Sequence, residues 1–366
     1  MIYLDHGATS YPKPPQVAQA MVWALQNCAN PGRGGHRPAM LAAQKVLNTR
    51  EIAGELFECN PENVVFTGNC TQGLNMAIHT LVKPGSRVII SGFEHNAVTR
   101  PVYARTDKVT IAGRRLFDWE DTLKSWEQAL QKGADAAIFT HTSNVFGYIL
   151  PAQQLSDLCR LYGVPFIVDA AQSAGVLPVS LKKWGADFIA MPGHKGLLGP
   201  QGTGILLCSR EIEPIIQGGT GSRSIAQTMP DFLPDAGEAG TVNVPGIAGL
   251  GAGLAYLKKV GVDKFFARES RQAKLLAKEL EIMGVKVFSG DHQGGTVSFA
   301  PKTDCEEVAQ MLAEHGVCVR AGLHCAPLAH ESAGTLQSGT VRVSFGHDAN
   351  DLQRENLLKI LKKLGF

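Results

Sequence analysis

Near the middle of the chain a lysine stands between glycines, in Met191-Pro192-Gly193-His194-Lys195-Gly196, just after an apolar run. Most lysines are solvated surface groups. One held in a cleft by close-packed glycine backbone is shifted toward its neutral, nucleophilic form and can make a Schiff base with a carbonyl. Asp169 closes another apolar run, Val164–Val168. An acid there either caps the next turn or faces a protonated ring nitrogen, keeping an aromatic cofactor electron-poor. Gln172, three residues on, can reach the same side of that turn. Gly68-Asn69-Cys70-Thr71-Gln72-Gly73 opens a helix after a third run. It is either an ordinary turn capped by Thr71 or a cradle whose free N–H groups and Thr71 hydroxyl hold a phosphate. His95, in Glu94-His95-Asn96, is either a satisfied turn histidine or a ring that stacks on a flat ligand. Asn144, in Thr142-Ser143-Asn144, is either a turn residue or a donor to a ring substituent.

A second group of residues lies near the other end, in Arg320-Ala321-Gly322-Leu323-His324-Cys325-Ala326-Pro327-Leu328. A buried inert cysteine is the ordinary reading. A Cys in a segment bounded by Gly and Pro, beside a histidine, is instead a place where a thiolate can be stabilised. Arg342 sits among apolar residues in Thr340-Val341-Arg342-Val343-Ser344 and needs a carboxylate partner there. The run Gly246–Gly253 invites a dinucleotide reading. It follows Val244-Pro245 and not a strand, so its glycines are assigned to close helix packing.

The elements that must position these groups are short β-branched runs alternating with helical stretches. Strands are predicted at 63–67, 87–91, 135–141, 164–169, 186–191 and 204–208, with helices such as 71–81 and 151–162 between them. Continuous apolar strands separated by helices imply a mostly parallel sheet covered on both faces. Ligands bind such sheets outside the carboxyl ends of the strands. Five successive strand ends carrying His, Asn, Asp, Gln, His and Lys therefore predict one crowded site. After Pro245 the texture changes to a long helical stretch, 247–283, broken near Gly261. Strands at 285–289, 295–300, 317–320 and 340–345 follow, with helices near 304–315 and from 348. This predicts an α/β protein with a large domain, 15–245, and a smaller α+β domain, 246–366, joined by the N-terminal segment 1–14.

Composition agrees with an ordinary globular chain. The 366 residues carry 35 Lys and Arg against 33 Asp and Glu, a balance that gives no basic face for nucleic acid or an anionic membrane. No apolar run is long enough to span a bilayer, and no secretory signal opens the chain. The eight cysteines form no C-x-x-C pair and the eleven histidines no H-E-x-x-H, so no disulfide framework or metal site is expected. A cytoplasmic protein with reduced thiols is the expectation.

Taken together, these motifs resemble the class V aminotransferase-type, pyridoxal-phosphate-dependent cysteine desulfurases, the NifS/SufS-like branch with its selenocysteine-lyase relatives. The matching segments are Tyr3–Thr9, Phe66–Asn75, Glu94–Asn96, His141–Gly147, Asp169–Gln172, Gly193–Lys195, Glu238–Thr241, Arg320–Pro327 and Arg342–Ser344, in family order along nearly the whole chain. The resemblance implies a fold-type I transferase with pyridoxal 5'-phosphate carried covalently on Lys195. It implies Asp169 on the ring nitrogen, Gln172 on the ring oxygen and His95 stacked on the ring as a possible acid or base. It places the Cys70 backbone, Thr71 and His194 on the phosphate. Asn144 touches the cofactor or substrate, and Arg342 clamps the substrate carboxylate. Cys325 attacks the substrate sulfur, giving alanine and an enzyme persulfide. Thr241 reaches the phosphate of a neighbouring subunit, so a homodimer with shared sites is implied, along with a sulfur-acceptor protein such as those of iron–sulfur cluster assembly.

The sequence departs from that pattern in places. The family's Asp-Asn-Ala-Ala-Thr opening reads Asp5-His6-Gly7-Ala8-Thr9, and Pro192 stands where a phosphate-bonding Ser or Thr is usual. Asn69 and Cys70 replace smaller or hydroxyl residues. Selenocysteine cleavage, another carbon–sulfur lyase activity and true transamination are the alternatives on the same fold. Cys325 favours desulfuration, because transamination needs no thiol. A nicotinamide oxidoreductase is disfavoured by the missing G-x-G-x-x-G.

Overall fold

The computed structural model describes residues 1–32 and 34–366. The strands are β1 Ile2–Tyr3, β2 Val64–Thr67, β3 Val88–Ser91, β4 Val109–Ala112, β5 Ala136–Thr140, β6 Phe166–Asp169, β7 Phe188–Pro192, β8 Gly204–Cys208, β9 Lys286–Phe288, β10 Thr296–Ala300, β11 Val317–Cys318, β12 Arg320–Gly322 and β13 Thr340–Ser344. The helices are α1 Pro15–Asn27, α2 Arg37–Phe57, α3 Cys70–Leu81, α4 Asn96–Tyr103, α5 Trp119–Gln131, α6 Ala152–Leu161, α7 Leu181–Trp184, α8 Val244–Val260, α9 Val262–Ile282, α10 Cys305–Glu314, α11 Pro327–Ala333 and α12 Asp351–Lys363.

A seven-stranded sheet in the order β2-β8-β7-β6-β5-β3-β4 forms the centre. Strands β4, β3, β5, β6 and β7 run parallel, while β8 is antiparallel to both its neighbours. The central strands are buried along their length, which is why they read as unbroken apolar runs. Edge strand β4 is not: its residues are part-buried or exposed apart from Ala112, and its periodicity did not reveal it. A second sheet, β12-β13-β10-β9, is antiparallel, with its own apolar cluster around Leu276, Phe299, Val341 and Leu357.

The packing of α8 favours a domain boundary later than the expected 245. Helix α8 packs on α1 and α2, and its Ile247, Leu250, Leu254 and Leu257 belong to the large core cluster. The glycines of the 246–253 run make this close approach possible. A Cβ on Gly251 would sit 2.3 Å from the Thr49 hydroxyl, and one on Gly253 2.5 Å from the Leu197 carbonyl. The structural break falls at Gly261, whose φ of 94° separates α8 from α9. In the N-terminal segment, β1 pairs in parallel with β11.

Candidate active site

Parallel register sets the floor of the site. Asp169 ends β6 opposite Ala190 of β7, and the turn after β7 presents Lys195. The Asp169 carboxylate is buried, takes the Ala171 N–H at 2.9 Å and lies 3.6 Å from the Cys70 sulfur. It thus makes the local turn contact and also faces the interior. Burial raises its pKa, against the Ala171 N–H and the Lys195 charge. Lys195 is part-buried and lines an interior cavity. Burial there, with Arg342 nearby, lowers the Lys195 pKa, and Asp169 opposes the shift. An amine whose charged form is disfavoured in a desolvated cleft is what a proton-shuttling, carbonyl-binding lysine requires.

Helix α3 begins beside them. Asn69, not Thr71, is its N-cap, its side chain accepting the Gln72 N–H at 2.9 Å. The Gln72 side chain in turn accepts the Gly68 N–H at 2.7 Å. The N–H groups of Cys70 and Thr71, first in the helix, have no intrahelical partner and remain free for an anion. Thr71 is exposed, while burial pushes the Cys70 thiol well up. His194 turns its ring to the Thr9 hydroxyl at 3.1 Å, and burial with the Lys195 charge holds it down at about 4. Its carbonyl accepts the Lys13 ammonium at 2.6 Å. Burial brings Lys13 down to about 8.

The opposite wall is built by the thiol loop. Cys325 is exposed, and both it and His324 have left-handed backbone, φ 56° and 52°. Two hydrogen bonds hold that strained turn. The Asn96 N–H donates to the Cys325 carbonyl at 2.7 Å, and the Asn144 amide donates to the His324 carbonyl at 2.7 Å. His95 caps α4 by accepting the Ala97 N–H on Nδ1 at 3.0 Å, which leaves Nε2 protonated in its neutral form. Burial first, then the charges of Lys195 and Arg320, bring His95 to about 4. The expectation that His324 stabilises a thiolate is corrected. Its ring is buried, with its nitrogens on His330 Nε2 at 3.4 Å and the Arg320 carbonyl at 3.3 Å. Burial holds it near 2, so it stays neutral and offers the thiol no positive charge.

Arg342 is fully buried, and its partner is Asp5 at 2.6 Å. It also donates to the Asn144 carbonyl at 3.0 Å. Its Nε is buried with no partner, a donor left for a further acceptor. The guanidinium lies against Gly7, where a Cβ would come within 3.0 Å of Cζ. The Gln172 amide donates to the Gly7 carbonyl at 2.9 Å. The segment 5–9 therefore straps Arg342, Gln172 and His194 together.

Lys195, Asp169, Cys70, His95, Asn144, Gln172, His194, Arg342 and the Cys325 loop are thus connected through direct contacts or shared elements. Thr241 is not part of that group: it is exposed on the loop leading into α8. That loop is anchored by Glu238, which holds Arg50 through two 2.8 Å contacts and takes the Phe66 N–H at 2.7 Å. Sequence reasoning missed Asp5, Lys13 and Glu94 as parts of the site. Glu94 accepts the Thr140 N–H at 2.7 Å and the Ser91 hydroxyl, and burial pushes it up to about 8. The only signal was position, since Glu94 lies in the turn between β3 and α4 and Lys13 stands between two prolines.

The described helices include none long and apolar enough to cross a membrane. The family model for aminotransferase class-V matches residues 2–356. A probable cysteine desulfurase of Pyrococcus abyssi is 33% identical, over 100% of this chain and 94% of that protein. One from Methanothermobacter thermautotrophicus is 32% identical, over 98% and 92%. The apo structure of a cysteine desulfurase from Thermococcus onnurineus superposes with a TM-score of 0.91 at 31% identity, covering 99% of this chain and 94% of that one.

Proposed function

The chain belongs to the aminotransferase class-V family, and on that premise we propose that it is a pyridoxal-phosphate-dependent cysteine desulfurase, converting L-cysteine to L-alanine with the sulfur passing to Cys325. The observation that carries this reading is the exposed Cys325 on a strained turn, bonded to the segments that bear His95 and Asn144. An aminotransferase has no use for such a thiol.

The residues present fit the cofactor. The free N–H groups at the start of α3 with His194 suit its phosphate, the buried Asp169 its ring nitrogen, and Lys195 its aldehyde. Gln172 and Asn144 would serve its ring oxygen, His95 its ring face, and Thr241 of a neighbouring copy its phosphate. Bound there, pyridoxal phosphate supplies the electron sink that makes the substrate carbon acidic. Arg342 binds the substrate carboxylate, its unpartnered Nε being the available donor. Lys195, with its lowered pKa, accepts the Cα proton and returns it. The Cys325 thiolate attacks the substrate sulfur. The S–S bond forms, the Cβ–S bond breaks, and the carbon takes up a proton to become alanine. In sum, the Cys325 thiol and L-cysteine give a Cys325 persulfide and L-alanine, with no outside oxidant. Cys325 is exposed, which suits transfer of that sulfur to an acceptor protein, and the expected compartment is the cytoplasm.

The test is incubation of purified protein with L-cysteine and with L-selenocysteine, quantifying alanine and sulfide or selenide. Borohydride reduction with peptide mapping should place the cofactor on Lys195. Alanine from selenocysteine alone would reassign the chain as a selenocysteine lyase. A reduced adduct on any other lysine would defeat the site assignment.

A further inference from the structure

His6, His347 and Asp348 meet where the N-terminal strap crosses the segment that follows β13. One ligand atom from each lies within 4.8 Å of the others. Among the described residues this is the cluster of that kind. His6 is 7% exposed, yet both of its ring nitrogens are buried without a hydrogen-bond partner. Nδ1 of His347 and Oδ1 of Asp348 are buried and unpartnered too. His6 Nε2 stands 3.3 Å from Asp348 Oδ1, near enough for an ion pair but outside hydrogen-bonding geometry. Leaving one such atom unmade costs about 1–3 kcal/mol, so one ligand atom from each of the three residues, gathered in one place, points to a missing common partner, while the other His6 nitrogen, Nδ1, faces Gly346.

We propose that His6, His347 and Asp348 bind one divalent transition-metal ion, of the zinc or cobalt type, that clips the N-terminal strap to the small domain. Two imidazoles and a carboxylate form a nitrogen-rich donor set that suits zinc, cobalt, nickel or copper better than magnesium or calcium. A tetrahedral ion with bonds of about 2.0–2.1 Å sets its ligand atoms about 3.3 Å apart. His6 and Asp348 already have that spacing, and His347 closes the rest by a small side-chain movement. The fourth position has room. His6 and His347 line the same cavity of about 50 Å³ that Lys195 lines, enough for one water. The Glu269 carboxyl lines the same cavity and can accept a hydrogen bond from that water.

The clip would act on the site through its neighbours. Asp5 holds Arg342, and the Gly7 carbonyl holds Gln172, on either side of His6. The ring of His6 lies so close to Gly346 that a Cβ there would be 2.0 Å from Nδ1. Only glycine at 346 leaves the ring where it meets His347 and Asp348. Its three ligands are not among the residues assigned to the cofactor or substrate, although its open position faces the cavity that Lys195 and Gln172 also line; metal binding is read directly, so the proposal stands or falls apart from the desulfurase reading.

The experiment is equilibrium dialysis of the holoenzyme against Zn²⁺ and, separately, Co²⁺, with metal counted by mass spectrometry. It is run on wild type, His347→Ala, Asp348→Asn, and a Cys325→Ser protein that removes the exposed thiol. About one ion per chain is expected in wild type and in Cys325→Ser, with the Co²⁺ form showing the intense visible bands of a tetrahedral ion. Both His347→Ala and Asp348→Asn should retain less than about a tenth of that metal, and should lose the metal-dependent rise in melting temperature. Asp348 is part-exposed, so Asp348→Asn is not expected to unfold the chain. Equal metal in wild type and both ligand variants, or loss of metal in Cys325→Ser, would overturn the proposal.

Discussion

Glu94 gives the sharpest test of how the interior beneath the site is built. It is fully buried, and one carboxyl oxygen takes the Thr140 N–H and the Ser91 hydroxyl while the other has no partner. Burial raises its pKa from 4.5 to about 8, with the Asp169 charge adding to the rise and the hydrogen bonds opposing it. In the unfolded chain Glu94 ionises near 4.5, whereas in the folded chain it keeps its proton to about 8. Between those values the folded state holds one more proton than the unfolded state, so stability falls as pH rises. The contribution is whole below the unfolded value and gone above the folded one. Each pH unit changes it by about 1.4 kcal/mol, so the full window is worth about 3–5 kcal/mol. Glu94→Gln stays neutral throughout and should not lose that amount. With an unfolding entropy of about 0.8 kcal/mol/K for a chain this long, the melting temperature of Glu94→Gln should gain about 4–6 °C on wild type from pH 5 to pH 8.5. The assay is a pair of melting curves at half-unit steps of pH. Glu269, also raised to about 8 by burial, titrates in both proteins and cancels in the difference. A gap between the two proteins that stays flat from pH 5 to 8.5 would refute the reasoning.

Cys325→Ser should keep the cofactor's absorption and its response to L-cysteine yet form no persulfide, as read by thiol-specific labelling and mass spectrometry. Full turnover with L-cysteine would make Cys325 a structural thiol. Asn144→Ala leaves the buried His324 carbonyl without its donor, a loss of about 1–3 kcal/mol. Persulfide formation should slow by about tenfold or more in stopped-flow measurements, while cofactor binding changes less. Pro192→Ser restores a hydroxyl at the end of β7, and one hydrogen bond to a phosphate is worth about 1.5–3 kcal/mol. Cofactor titrated back into stripped protein should bind about ten- to a hundredfold more tightly in the variant. Equal binding would show that the Cys70 and Thr71 N–H groups compensate.

Much of the fold was legible because burial on both faces leaves a strand no choice but apolar residues. β8 appears in the sequence with the bounds it has in the structure, and β3, β5, β6 and β7 within two residues. Where one face is wet the pattern fails, as at β4. The domain boundary is hard to read from the sequence for another reason. Its texture change at Pro245 is real, but α8 is held by packing on α1 and α2, and no local signal shows which neighbour a glycine-rich apolar helix will choose. The clustering of the candidate residues on strand ends was legible because topology brings those ends together. His324 was misjudged because adjacency in sequence says nothing of direction: its ring turns inward to His330 while Cys325 faces solvent.

The N-terminal strap shows what a linear reading misses most. Asp5, Gly7 and Thr9 touch Arg342, Gln172 and His194, so the short turn that follows β1, closed by the Ala8 N–H on the Asp5 carbonyl, engages three candidate site residues. His6 points the other way, toward His347 and Asp348. In the sequence its replacement of the family's Asn registers only as a departure. In the structure it is accompanied by a histidine and an aspartate from the far end of the chain, and by a glycine at 346 that makes room for it. No spacing rule for metal ligands joins positions at opposite ends of a chain, because such rules describe ligands carried on one helix or one turn. What joins these three is β13. It runs beside β12 and β10, and it carries Arg342 in its middle and the 346–348 turn at its end. The strand that sets the buried Arg342 therefore also sets the cluster. A change at that cluster should reach substrate binding through Asp5 and Arg342 before it reaches Lys195.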